Sequence, residues 1–328
     1  MNQTFKKRIA GLLVCIFALA PGLALAYPNG TVSLMVPYPA GGPSDVIARI
    51  FNNRISKHLG APVIVENLGG VSGALAAQKV LSMPANGQML YQASPNEVIL
   101  SPLANAAVKF NAEDFQLIQP IAYAPLVVVV KKDLPVNTSD ELITLARKSQ
   151  GGAALSYGSV GIGSFYHVLA EHMGQTIGAK MNHVPYKGVA PLLQDLAGGN
   201  VDFAILPHFA GIDGLVEQGR VKIIAQMGTQ RAETLPKLPT VSEGKLLKNF
   251  GFSIWTGYMV KKGTPSNVIS TLQKAIQASL ADPEVRESLR LQSQLIAKPM
   301  TLEESEKFYN NEVAYYRKIA KAVGIERQ

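Results

Sequence analysis

The chain has 328 residues, 47% hydrophobic and 16% charged, with 31 Lys+Arg against 23 Asp+Glu and a formal net charge of +8. That length suits two domains with real cores, and the short spacing of the apolar runs excludes a disordered polar chain and a multi-span membrane protein. The single cysteine, Cys15, excludes an intrachain disulfide and any cysteine-based zinc or iron–sulfur site.

Residues Met1 to Ala26 read as a secretory signal. Lys6, Lys7 and Arg8 form the positive end, Ile9 to Ala20 the apolar run, and Ala24-Leu25-Ala26 a small-x-small cleavage site. The apolar run falls short of the about 20 residues a span needs. Cleavage after Ala26 removes those three positive charges and Cys15, so the expected mature protein is cysteine-free, exported and only mildly basic.

Beyond Ala26, short β-rich runs alternate with amphipathic stretches, the mark of an α/β fold with mostly parallel sheets flanked by helices. Thr31–Val36 reads as a strand. Ser44 is placed to cap a helix whose apolar residues, Val46, Ile47, Ile50, Phe51, Ile55 and Leu59, share one face, with Gly60 as its stop. Pro62–Val65 is the next strand, then a helix near Gly73–Leu81 and a strand Gln88–Gln92. A second cluster opens with Leu126–Val130, an apolar run suited to a buried strand, followed by a helix at Ser139–Lys148. Strands are expected near Ala153–Tyr157, Met181–Val184, Val201–Leu206 and Val221–Gln226, separated by helices near Phe165–Met173, Val189–Leu196 and Ile212–Gln218. A strand beyond Trp255 and helices at Ser266–Leu280 and Leu302–Val323 complete the chain.

Val127–Lys132 and Tyr258–Lys262 echo each other: each reads strand, Lys-Lys, Pro-containing turn, helix. Two crossover strands would make two lobes, the first split between residues 27–124 and 252–328 and the second formed by 125–251. Coincidence between two ordinary βα units explains the echo equally well.

Catalytic and metal signatures are absent. His167 and His172 are five apart and do not share a helix face; no Gly-x-Ser-x-Gly elbow, Walker A loop or Gly-x-Gly-x-x-Gly fingerprint occurs. No cofactor is expected. What stands out are strand-to-helix turns rich in small and hydroxyl residues: Tyr38–Ser44, Leu68–Gly73, Ser94–Asn96 and Tyr157–Ser164. Such turns aim backbone N–H groups from a helix N-terminus at open space, where carboxylate or phosphate binds without a formal cation. Ordinary turn chemistry competes for any one loop, but a loop from each lobe points to an anion clamp. Tyr186 could add a ring wall beside Lys187, itself equally readable as a solvated lysine. Trp255 defaults to core packing and Asp45 to a loop brace. Basic residues are scattered without interleaved aromatics, which excludes a nucleic-acid partner.

Val36-Pro37-Tyr38-Pro39-Ala40-Gly41-Gly42-Pro43-Ser44-Asp45 resembles the first-loop signature of the Bug receptors, the extracytoplasmic substrate-binding proteins (TctC-like) of tripartite tricarboxylate transporters. The likeness continues through Glu66-Asn67, Tyr157–Ser164, His183–Gly188, Leu238–Glu243, Trp255-Thr256-Gly257 and Gly263-Thr264-Pro265, in order and over essentially the whole mature chain. The resemblance implies a two-lobed periplasmic-binding-protein fold of the second type. It implies a monomeric, non-enzymatic receptor that closes over a small-molecule carboxylate and hands it to the permease subunits in the membrane, or to a sensor. Carried over by position, Tyr38, Ala40, Gly41, Gly42 and Ser44 serve the first lobe with Ser94 and Asn96, and Ser159, Gly161, Gly163 and Ser164 serve the second. Departures fall at Leu68, Ser72 and Pro207-His208; the last replaces a segment that frequently carries Asp and offers a cation at His208. The rival of another class is a periplasmic hydrolase or isomerase using the same cleft, with Ser164 or His167 as nucleophile or base.

Overall fold

The computed structural model describes residues 27–324, so the signal segment Met1–Ala26 lies outside the described residues. Strands β1 (Val32–Val36), β2 (Val63–Asn67) and β3 (Met89–Ala93) are parallel neighbours in the order β2-β1-β3. Helices α1 (Pro43–Leu59) and α2 (Ala74–Ser82) connect them. A π-helical turn, Asn96–Leu100, leads into the short helix α3 (Ser101–Ala104). The second parallel set is β5 (Ser156–Ser159), β6 (Asn182–Pro185) and β7 (Phe203–Pro207), in the order β6-β5-β7. Its helices are α4 (Ser139–Lys148), α5 (Phe165–Ile177), α6 (Val189–Ala197) and α7 (Ala210–Glu217).

One strand joins the two sets. β4 runs for 17 residues, Phe115–Lys131. Its first part pairs antiparallel with β9 (Ser253–Lys261), and its last part, from Leu126, pairs with β7 and with β8 (Val221–Gln226). The echo noted in the sequence therefore falls on adjacent antiparallel strands. Each delivers the chain into a helix: β4 into α4, β9 into α8 (Ser266–Ala281). Two more helices, α9 (Pro283–Leu291) and α10 (Leu302–Val323), follow, with the two-residue strand β10 (Leu295–Ile296) beside β4. The architecture is a two-lobed α/β fold in which parallel sheet sections are tied together by antiparallel strands.

The periodicities that suggested these elements are the ones that bury them. In α1, Ile47, Phe51 and Ile55 pack on β1 and against α8, and Phe51 meets Tyr258 of β9 edge-on at 5.6 Å. Leu126 to Val130 are buried on both faces, as an all-apolar central strand must be. Helix α4 begins at Thr138, whose hydroxyl accepts from Glu141 N–H, and carries acids in its first turn and bases in its last, complementing the helix dipole.

Three local expectations need correction. Ser44 does not cap α1: Gly42 is the N-cap and Pro43 takes the first helical position, where its missing N–H costs nothing. β9 starts at Ser253, before Trp255. The second strand cluster does not begin at Leu126, because β4 has already run from Phe115 to Pro125 there. Trp255 is packed in the core against Phe308 and donates its Nε1–H to Glu312 of α10 at 2.8 Å. Among the described residues no helix is long and apolar enough to cross a membrane.

Candidate functional site

Between the two lobes lies a cavity. Its first-lobe wall comes from the β1–α1 loop (Tyr38, Gly42, Pro43, Ser44), from Ile47 one turn into α1, and from Ser94 and Asn96 after β3. The facing wall is Val160, Tyr166 and Val189, at the entries to α5 and α6, with Pro207 at the end of β7. Ala124 of β4 and Ile254 and Thr256 of β9 form the floor, joined by Gln294 just before β10.

The lining contains no side chain of formal charge. Its polar atoms are instead neutral and partly unpaired. The Tyr38 hydroxyl, Asn96 Nδ2 and the Oε1 of Gln294 are all buried without a hydrogen-bond partner. A buried donor left open is costly unless something fills it. The N-terminus of α1 opens on one side and that of α6, behind Gly188, on the other. Neither N-terminus has a side-chain cap, and each carries the positive end of its helix dipole at the cavity's edge.

Asp45 holds the first loop in shape. Its Oδ2 accepts from Gly41 N–H at 3.0 Å and Arg49 Nε at 2.9 Å, and its Oδ1 accepts from Asn67 Nδ2 at 3.1 Å. Burial alone would raise its pKa, but these partners outweigh burial and hold the carboxyl below its ordinary range. Asp45→Ala removes the acceptor of Gly41 N–H and Arg49 and leaves Asn67 Nδ2 only its bond to Tyr38 O, and is expected to cost about 2 kcal/mol in urea unfolding near pH 7. The difference from wild type should vanish as pH falls below about 4, through the depressed folded pKa, because the wild-type carboxylate is then protonated.

The lobes touch directly across the cleft. Ser72, held at φ +51°, donates its hydroxyl to Ile162 O at 2.8 Å. Asn96 Oδ1 accepts the first N–H of α5, from Phe165, at 2.6 Å. On the opposite side, Gln294 Nε2 donates to His208 O at 3.2 Å, and Ala210 N–H donates to Gln292 Oε1 at 3.2 Å.

Of the residues expected from the sequence, Tyr38, Gly42, Ser44, Ser94 and Asn96 are brought together at the cavity. Ala40 and Gly41 stay exposed on the same loop. The second-lobe set stands around the cavity rather than on its lining. Ser159 is fully buried, its hydroxyl 2.6 Å from His183 Nε2, and His183 stacks on His167 at 4.0 Å. Gly161 packs against Ser72 and Gly163 against Ala104, while the Ser164 hydroxyl accepts from His167 N–H as the cap of α5. Tyr186 donates its hydroxyl to Asp195 at 2.8 Å, outside the lining. His208 is buried beside Pro207 with Nε2 on Asp213 at 3.0 Å. Burial outweighs Asp213 and lowers its pKa, so the expected cation at His208 is a neutral imidazole. The sequence reading missed Tyr166, Thr256 and Gln294. Tyr166 directly follows the Ser164 turn and was within reach; Gln294 arrives only through the pairing of β10 with β4.

Comparison with known proteins bears on this arrangement. A family profile described as "Tripartite tricarboxylate transporter family receptor" matches residues 47–325. The chain belongs to this family. A relative from Agrobacterium vitis, named "UPF0065 protein in the TAR-I ttuE-ttuC' intergenic region", is 34% identical over 291 residues, covering 88% of this chain and 81% of its own. Among solved structures, the periplasmic binding protein BugD superposes with a TM-score of 0.85 at 29% identity, over 92% of this chain and 100% of BugD. An R. palustris protein solved with adipate gives the same TM-score, identity and coverage. The receptor thus shares its fold with a periplasmic binding protein and with a protein solved with adipate.

Proposed function

We propose that the receptor is exported to the periplasm, binds a small organic carboxylate between its lobes, and presents it to the membrane permease of a tripartite tricarboxylate-type transporter. The lobes are residues 27–124 with 252–328, and 125–251; they hinge where β4 and the segment leading into β9 cross between them. The single observation that carries this reading is the pairing of buried, unpartnered donors, Tyr38 OH and Asn96 Nδ2, with the N-termini of α1 and α6 around one cavity. That is a carboxylate site built from neutral dipoles, which hold an anion without the desolvation cost of burying a cation beside it. Apolar walls at Ile47, Val160, Val189 and Ile254 suit a hydrocarbon chain behind the carboxylate. The adipate held by the R. palustris relative has this chemistry.

Binding without turnover is supported by how the rival's residues are engaged. The Ser164 hydroxyl and His167 Nδ1 are spent on backbone N–H groups. The Ser159–His183 pair lies off the cavity, and burial, reinforced by His167, pushes the His183 pKa down to about 3, too weak a base to activate a hydroxyl near pH 7.

Calorimetry with straight-chain mono-, di- and tricarboxylates, adipate included, tests the proposal. At least one acid should bind saturably and be recovered unchanged. It should also perturb the fluorescence of Trp255, the lone tryptophan, which sits between the lining residues Ile254 and Thr256. A folded sample that binds none of them would overturn the receptor reading; chemical conversion of the bound acid would favour the hydrolase or isomerase.

A further inference from the structure

Directly behind the cavity's donors lies a carboxylate that carboxylate capture does not by itself require. Glu97, in the π-helical turn after β3, is fully buried. One of its oxygens accepts Ser94 N–H at 2.5 Å and the other accepts Ser94 Oγ–H at 3.1 Å. The phenols of Tyr38 from the β1–α1 loop, Tyr91 from β3 and Tyr166 from α5 all feel its charge, and among the described residues no cation balances it. Tyr38, Ser94, Asn96 and Tyr166 are at the same time cavity lining, so Glu97 stands one side chain away from the ligand space.

The fold reserves the position. Gly73 sits at φ +85°, where a Cβ would lie 2.3 Å from Glu97 Cγ, so only glycine leaves room for this side chain. A π-turn, a form that recurs at functional sites, carries the residue.

We infer that Glu97 is a positioning residue that couples ligand capture to proton uptake: entry of an organic anion beside Tyr38 and Asn96 draws a proton from solvent onto Glu97. Two carboxylates in one water-poor pocket without a cation do not both stay ionised. A neutral Glu97 also removes the nearby negative charge that opposes an anion at the Tyr38 hydroxyl. Burial already pushes the free protein's Glu97 pKa up to about 7, so a modest further push from the ligand's charge completes protonation. The facing tyrosines are all raised above their ordinary range and do not titrate near neutrality. His183, His167 and His208, the buried histidines of the second lobe, are lowered and stay neutral there.

The inference rests on the carboxylate-receptor reading, and the test separates the two. Adipate and straight-chain C3–C8 mono- and dicarboxylates are titrated calorimetrically at pH 7 and 8, each in two buffers of different ionisation enthalpy. Wild type should take up about half a proton at pH 7 and nearly one at pH 8, with affinity falling about fivefold between them. Glu97→Gln should bind with no uptake and a flat profile. A readout without ligand accompanies it: wild-type stability should fall relative to Glu97→Gln as pH rises from about 4.5 to about 7, because the folded pKa is raised above the unfolded one. Acids that bind with no proton uptake overturn the coupling and leave the receptor reading standing; if no acid binds, both fall. Should Glu97→Gln fail to fold, the wild-type buffer pairs still decide.

Discussion

Gly163→Ala should lower the affinity for any carboxylate ligand by at least about 100-fold, near 2.7 kcal/mol, while both lobes stay folded. In the closed arrangement a Cβ at Gly163 would lie 1.9 Å from the Cβ of Ala104, on the other side of the cleft. Carbon atoms need about 3.5–4.0 Å, and Ala104 is a short, stiff residue in helix α3 that cannot rotate away. The clash disappears if the lobes part, so it acts on closure and not on either lobe's core. The φ of +73° adds about 1 kcal/mol of local strain for alanine, which a urea titration reports separately. The double variant Gly163→Ala/Ala104→Gly removes the colliding methyl and should recover affinity to within about tenfold of wild type. Small-angle scattering should show the single variant staying open at ligand concentrations that close the wild type. Wild-type affinity in the single variant would mean that the lobe contact seen at Gly163 is not part of the bound state.

Element by element, the fold was legible where burial follows a strict period and obscure where it does not. Helix α4 matches its expected bounds because its buried residues, Leu142, Ile143 and Ala146, sit at helical spacing between a Thr cap and a basic end. The first half of β4 escaped notice because Gln116, Gln119, Pro120 and Pro125 break both the apolar run and the alternation; register shifts next to Gln119 and Pro120 absorb them. Gln119 is tolerated inside because its amide bonds the neighbouring Pro120 O and, from a distant part of the chain, Lys298 O and Met300 N–H. Helix α9 hides for the opposite reason. Its nine residues bury only Val285 and Leu289, and the Asp282 cap that starts it is a local signal passed over.

The same division holds for the site. Tyr38, Ser44, Ser94 and Asn96 could be found because turn chemistry after a strand is local and carries its purpose in residue type. The second-lobe turn could be found too, but not what it does. Whether Gly161 and Gly163 meet a ligand or the other lobe depends on how far the cleft closes, and no local pattern encodes that. In the structure they meet Ser72 and Ala104. Glu97 went unread because a single acid in an apolar stretch looks like a surface residue until the fold buries it.

Asn96 offers the sharpest separation of ligand contact from lobe contact, since its two amide atoms serve different masters. Oδ1 accepts Phe165 N–H at the start of α5, and Nδ2 is buried with no partner. Asn96→Asp keeps the acceptor, and the positive end of α5 welcomes the charge, but the free donor becomes an anionic oxygen where the ligand's carboxylate would sit. Asn96→Ala loses both atoms and strands a buried N–H, at about 1–3 kcal/mol. Stability measured by urea unfolding should therefore run wild type, Asp, Ala in descending order, whereas affinity near pH 8 should run wild type, Ala, Asp. The Asp variant is expected to lose about 100-fold or more in affinity, because two like charges in one buried site are costlier than a missing hydrogen bond. Its deficit should shrink on acidification, as the buried carboxyl protonates and regains an O–H donor. An Asp variant that binds like wild type at pH 8 would remove Asn96 from the ligand's surroundings and leave it a contact between lobes.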